Sequence, residues 1–138
     1  MAWDVNKAVE HLQKNAGAKS QGKCAAFVRQ AIEAGGATFQ RTTYAKDFGP
    51  SLLQAGFRQI SETGYKAQKG DVIVIQPYTG STAGHVEMFD GAIWISDFKQ
   101  SDEWAGPSYR KQKPARAIYR HSTNSWASQF MCLIPGAG

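Results

Sequence analysis

Residues 21–36, QGKCAAFVRQAIEAGG, decide how this chain is read. From residue 23 to residue 34 the side chains of Ala25, Phe27, Val28, Ala31 and Ile32 form a broad apolar surface at helical spacing, and Gly35-Gly36 ends it. The pattern predicts a helix over 23–34 with Cys24 in its first turn. A thiol attacks only as thiolate. The start of a helix carries partial positive charge, which lowers a thiol's pKa, and its unpaired N–H groups can hold a developing oxyanion. A nucleophile gains most at such a position. Small cysteines are also ordinary core residues, so Cys24 needs a partner before it means chemistry.

Working outward, the preceding stretch AWDVNKAVEHLQKNAG spaces Val5, Ala8, Val9 and Leu12 as a helix, with Asp4 as N-cap and Gly17 as its stop. A third short helix is expected over 50–55, with Pro50 early and Gly56 at its end. Then the character changes. KGDVIVIQP is a β-branched apolar run between turn signals, the pattern of a buried strand. GHVEMF and IWISDF flank DGA as a hairpin, and ARAIYRH and SQFMCLI read as two further strands. Helices followed by an antiparallel sheet give an α+β class. With 138 residues and no repeat or interior linker, one domain over 1–138 is expected. Residues 99–114, KQSDEWAGPSYRKQKP, read as one long loop, and loops of that length often carry function.

The net charge is +5, with basic residues scattered and densest at Arg110, Lys111, Lys113, Arg116 and Arg120. That distribution suits a solvated surface, or attraction to a polyanion. No nucleic-acid-binding signature accompanies it, so no nucleic-acid partner is expected. No apolar run approaches a membrane span, and the start lacks a basic-then-apolar leader. The chain is therefore expected to be made in the cytoplasm, to insert in no membrane, and to travel by some other route if it works elsewhere. Two cysteines, Cys24 and Cys132, make no disulfide framework, and a single bridge is possible on count alone; if Cys24 is a nucleophile it stays free, and Cys132 is then read as a buried, inert residue.

A cysteine nucleophile needs an imidazole close in space and far in sequence. His85, at the start of a strand, fits; His11, mid-helix, and His121, at the end of a late strand, fit worse. The imidazole needs an acceptor on its other ring nitrogen. If the hairpin loop is the three residues 90–92, Phe89 pairs with Ile93, Glu87 with Ile95, and His85 with Asp97, close enough to hydrogen-bond. A two-residue Asp90-Gly91 turn, which propensity favours, would send Asp97 to the other face. The three-residue loop is preferred because a buried aspartate without a partner is unfavourable. Glu87 is then a substrate contact or a solvated charge. Gln21, Tyr44 and Trp104 are candidate substrate contacts, with Tyr78 and Tyr109 beside them; Trp94 reads better as core. Ser20 either touches the site or belongs to the helix approach. Cys24, His85 and Asp97 could ligate zinc, but no C-x-x-C or H-E-x-x-H spacing is present, so no metal or organic cofactor is expected.

Taken in order, GKCAAFVRQAIEAGG, KGDVIVI, GHVEMF and WISDF resemble the nucleophile helix, first core strand, histidine strand and third-residue strand of the NlpC/P60 and CHAP superfamily of papain-like cysteine peptidases and amidases. The YR of AIYRH is similar to a late CHAP strand, while the Glu and then Asn that CHAP members carry after the histidine strand have no clean equivalent. The resemblance implies a papain-like fold, with Cys24 as nucleophile, His85 as base and then acid, and Asp97 as the orienting residue. It implies hydrolysis of an amide bond in peptidoglycan stem peptides or crosslinks. Size and the missing leader look most like amidase effectors delivered by type VI secretion into the periplasm of a rival bacterium. A monomer is expected, with room for a cognate immunity protein as partner. A phage-type endolysin, a cysteine hydrolase acting on a protein, and a non-catalytic wall- or protein-binding module on the same fold are the rival readings.

Overall fold

A computed structural model describes residues 2–124 of the chain. The expected strand SQFMCLI and Cys132 lie outside the described residues. The element order is α1 (Val5–Asn15), α2 (Cys24–Ala34), a 3-10 turn (Ala45–Asp47), α3 (Phe48–Gln54), β1 (Phe57–Ile60), β2 (Val72–Ile75), β3 (His85–Phe89), β4 (Trp94–Ile95), α4 (Pro107–Gln112), β5 (Arg116–His121) and a closing 3-10 turn (Ser122–Asn124). This is an α+β arrangement of helices and one five-stranded sheet, in the order β1-β5-β2-β3-β4, with every pairing antiparallel. No helix among the described residues is long and apolar enough to cross a membrane.

The early helices follow their sequence signals. Asp4 caps α1 by accepting from the Lys7 N–H, and Ala8, Val9 and Leu12 turn inward. α2 buries Val28, Ala31 and Ile32, and Gly35-Gly36 follows it, with Gly36 at φ +100°. Both helices pack over the face of β2 that carries Val72 and Val74, joined there by Phe48, Leu52, Val86 and Met88. The other face of β2, Ile73 and Ile75, packs with Trp94 and Ile118 beneath Tyr65, Trp104 and Tyr109. All four residues of β2 are therefore buried, which is why its sequence does not alternate. Asp71 anchors the strand's entry: its fully buried carboxylate accepts from Tyr65 Oη (2.7 Å), the Gln68 N–H (2.9 Å) and both Nε and Nη2 of Arg120 (2.8 and 2.9 Å).

One strand is added and two expectations are corrected. Residues 57–60 form an edge strand, β1, on β5, although Phe57-Arg58-Gln59-Ile60 carries too few apolar residues to signal one. The loop at 99–114 contains a helix, α4, entered through Pro107. The hairpin register differs too: Phe89 pairs with Trp94 and Met88 with Ile95, so the loop is the four residues 90–93. Asp90 is the reason. Its Oδ1 accepts from the N–H groups of Ala92 and Ile93, both at 2.7 Å, and builds a wider turn than a pairing rule for DG foresees.

That shift decides where the next residues go. β4 stops after Ile95, and the chain reverses through residues 96–98, closed by the Ser96 N–H on the Phe98 carbonyl (3.0 Å). Asp97 sits at this turn, and Gln100 returns beside Trp94, whose carbonyl its N–H reaches at 2.9 Å.

Gly84, just before His85, has φ +70°, and a Cβ there would lie 2.5 Å from the Ile75 carbonyl oxygen. Gly84→Ala therefore combines left-handed strain with a backbone clash, and a loss of about 2 kcal/mol is expected. Thermal unfolding followed by circular dichroism checks it: the midpoint falls by several degrees, and an unchanged midpoint contradicts the close approach.

Candidate active site

His85 and Glu87 face the same side of β3, because their cross-strand partners Ile75 and Ile73 share one face of β2. Cys24 opens α2 on the helix side of the sheet, and the Val86 N–H, next to His85, reaches its sulfur. Cys24 and His85 line a single cavity of about 300 Å³, walled further by Tyr78, Phe98 and Tyr109. The Tyr109 ring stands 4.9 Å from that of Tyr78 and 5.9 Å from the imidazole. A second cavity of about 260 Å³ opens on the other side of the thiol and shares Gly22, Cys24 and Ala83 with the first. The thiol therefore lies at the waist of one cleft.

The imidazole is held by a residue the sequence did not single out. His85 Nε2 is 2.8 Å from Gln100 Oε1. Gln100 Nε2 donates to Glu87 Oε1 (3.0 Å) and to the backbone carbonyl of Asp102 (3.1 Å). A backbone carbonyl only accepts, so the nitrogen of the Gln100 amide must face Asp102. Its oxygen must then face His85, and only an Nε2–H can satisfy that oxygen. The proton sits on Nε2, and Nδ1 keeps its lone pair.

Burial sets the charge state. Desolvation pushes the Cys24 thiol above its ordinary 9.0, aided by the charge of Asp97; the N–H groups of Val86, Ala25 and Cys24 itself pull the other way and lose. Desolvation also pulls His85 below 6.5, against the Gln100 hydrogen bond and Asp97. Glu87, fully buried, rises well above 4.5 for the same reason. His85 Nε2 and Glu87 Oε1 are 3.5 Å apart, within ion-pair range. Both shifts favour the neutral forms, however, so this is a contact between uncharged groups. The expectation that the helix start lowers the thiol's pKa is corrected: its N–H groups do pull that way, but desolvation outweighs them.

Asp97 lines the same cavity, but its hydrogen bonds run elsewhere. Oδ2 accepts from the backbone N–H groups of Gln21 (2.6 Å) and Lys23 (2.9 Å), and Oδ1 from the Ser96 hydroxyl (3.3 Å). It acts as a long-range cap on the entry to α2, whose own N-cap residue, Lys23, offers no side-chain bond. Gln21 is tied to the same turn, its Nε2 donating to the Asp97 carbonyl at 3.0 Å. Glu87, expected at the surface or against substrate, is buried behind Gln100. Trp104 lies away from the cleft, its ring 5.0 Å from the Arg116 guanidinium, and Tyr44, 38% exposed, stands on the rim of the second cavity. Among the described residues, no group of three or more His, Cys, Asp and Glu gathers as a metal site.

Helices over an antiparallel sheet, with a half-buried cysteine and a buried histidine lining one cavity where they meet, define a class of small α+β proteins with a candidate thiol site. Solved structures make the assignment closer. The chain is similar to the effector in the native type VI effector–immunity complex Tae3–Tai3 from Ralstonia pickettii, with 47% identity, 86% of this chain and 99% of that one covered, and a TM-score of 0.80. The selenomethionine form of that complex matches at 49% identity, covering 83% and 99%, with a TM-score of 0.78. The chain belongs to the Tae3 family of type VI effectors. The effector Tae4 from Salmonella typhimurium, solved with the immunity protein Tai4 from Enterobacter cloacae, shares the fold at 12% identity, covering 86% and 96%, with a TM-score of 0.51. No protein-family model and no curated protein matches the chain.

Alkylation follows the thiolate fraction, so a raised thiol pKa has a direct readout. With iodoacetamide, and with the Cys24 peptide followed by mass spectrometry, the modification rate is expected to keep rising past pH 9. A rate that has reached its plateau by pH 7 would mean a resting thiolate and contradict the desolvation argument.

Proposed function

We propose that this protein is a cysteine amidase that hydrolyses an amide bond in peptidoglycan stem peptides or crosslinks. The observation that carries the proposal is the Gln100 amide, whose orientation leaves Nδ1 unprotonated on an imidazole that lines the same cavity as Cys24. The resemblance to the NlpC/P60 and CHAP superfamily supports a papain-like mechanism, and membership of the Tae3 family supports delivery by type VI secretion into a target bacterium.

In the resting site the thiol and imidazole are both neutral. As Cys24 Sγ attacks the substrate carbonyl, its proton passes to His85 Nδ1, and the low-dielectric cavity strengthens every interaction of the charges then created. The Cys24 N–H, at the open start of α2, takes part of the oxyanion charge. His85 next gives the proton to the departing amine, leaving an acyl-enzyme. Water, deprotonated by His85, attacks the thioester and releases the acid and the free thiol. Gln100 holds the ring in the working tautomer throughout, the role expected of Asp97. Asp97 fixes the backbone that presents Cys24, and its negative charge favours the transient imidazolium.

A producer of such an enzyme needs protection. The neighbouring structures are effector–immunity complexes, which supports a cognate immunity protein as partner, covering the cleft in the producing cell.

The test is digestion of purified cell-wall sacculi, with released muropeptides identified by mass spectrometry. Wild type is expected to free peptides with a new amine and a new carboxyl terminus. Cys24→Ala, shown folded by circular dichroism, is expected to lose about 10³-fold or more of that activity. Undiminished release by Cys24→Ala, or none by wild type, would overturn the reading.

A further inference from the structure

The two halves of the cleft differ in charge, and the position of His85 says which half is which. The imidazole lines the first cavity and not the second. In the amidase reading, on which this inference rests, His85 protonates the departing amine, so the amine side of the substrate lies with His85 in the first cavity. The scissile carbonyl sits over Cys24, at the waist. The acyl side must then continue into the second cavity.

That second cavity is cationic. Its charged lining residues are Lys23, Arg29 and Arg41, with no aspartate or glutamate among the lining side chains. Arg29 is partly engaged, its Nη1 paired with Glu33 at 2.8 Å. The side chains of Lys23 and Arg41 have no acceptor among the described residues. The hydroxyl of Thr42, also on this wall, donates to the Tyr44 carbonyl within the same loop. The first cavity offers the opposite environment. Its charged lining residues are His85, neutral at rest, and Asp97, whose oxygens are already taken by two backbone N–H groups and a hydroxyl, and its walls are aromatic.

We propose that the second cavity is an acyl-side subsite for a free carboxylate, with Arg41 as its principal ligand. The substrate class is a peptide whose acyl portion carries an ionised carboxyl group within a residue or so of the bond that is cut. A guanidinium fork suits a carboxylate in two-point contact, and a cleft lined by one sign of charge concentrates ligands of the other. The arrangement sets substrate polarity: a carboxylate on the acyl side is drawn in, and the same group on the amine side meets no cation.

The experiment uses synthetic peptides sharing one scissile amide, with the acyl-side carboxyl free or converted to carboxamide, and a third peptide carrying the free carboxyl on the amine side. Wild type is expected to favour the first over the second by about tenfold in kcat/KM, chiefly through KM, the size of one charge-assisted hydrogen bond. Arg41→Gln should cut that preference to about threefold or less, and Arg41→Lys, which keeps the charge but not the fork, should retain only part of it. Cleavage of all three at similar rates, or preference for the amine-side carboxylate, overturns the subsite and leaves the amidase reading standing. If none is cut, calorimetry with Cys24→Ala separates the two claims. About tenfold tighter binding of the free acyl-side carboxylate than of its carboxamide supports the subsite while the amidase reading falls, and equal binding overturns the subsite as well.

Discussion

The site depends on one amide that can point only one way. The Asp102 carbonyl and Glu87 Oε1 take both hydrogens of Gln100 Nε2, so Gln100 Oε1 is turned onto His85 and dictates where the imidazole keeps its proton. The chain is arranged to make that possible. Asp90 widens the hairpin by one residue, β4 ends after two, and the tight reversal at 96–98 returns residue 100 beneath His85 instead of carrying the strand onward. The same reversal turns Asp97 toward the backbone at residues 21 and 23. One turn therefore supplies the residue that orients His85 and the residue that fixes the start of α2.

Burial is the second constraint. A thiol and an imidazole brought together in a polar, solvated site can rest as an ion pair. Here desolvation outweighs the helix start, raising Cys24 and lowering His85, so both groups rest neutral. Glu87 follows the same rule. Fully buried, with Oε2 lacking a hydrogen-bond partner among the described residues, it serves as a neutral acceptor that locks Gln100 and not as a counter-ion. Polarity across the cleft then comes from outside Cys24 and His85, through Lys23, Arg29 and Arg41 on one side and aromatic rings on the other.

Much of this was legible in the sequence where local chemistry decides structure. The capping of α1 by Asp4, the extent of α2, the buried run of β2 and the start of β3 at His85 follow from periodicity and turn residues, and they were enough to bring Cys24 and His85 to one cavity. What escaped was non-local. β1 is held by its pairing with β5 and not by its own composition. Gln100 carried no signal, because a glutamine in a polar loop reads as solvent-facing until a two-residue strand folds it inward. The role given to Asp97 rested on a register that one side chain, Asp90, alters. Glu87 was placed by face correctly, on the side of His85, but the cover that residues 99–114 lay over it was not visible from spacing. Trp104 packs on Arg116 for the same reason.

The central claim is that His85 rests neutral with its proton on Nε2, held there by Gln100. Nitrogen-15 NMR of the imidazole ring near pH 7 reads this directly, with Gln100→Leu as the comparison. The account expects a protonated Nε2 and an unprotonated Nδ1 in the wild type, and loss of that single tautomer in the variant. An Nδ1-protonated ring or an imidazolium in the wild type at that pH would contradict it.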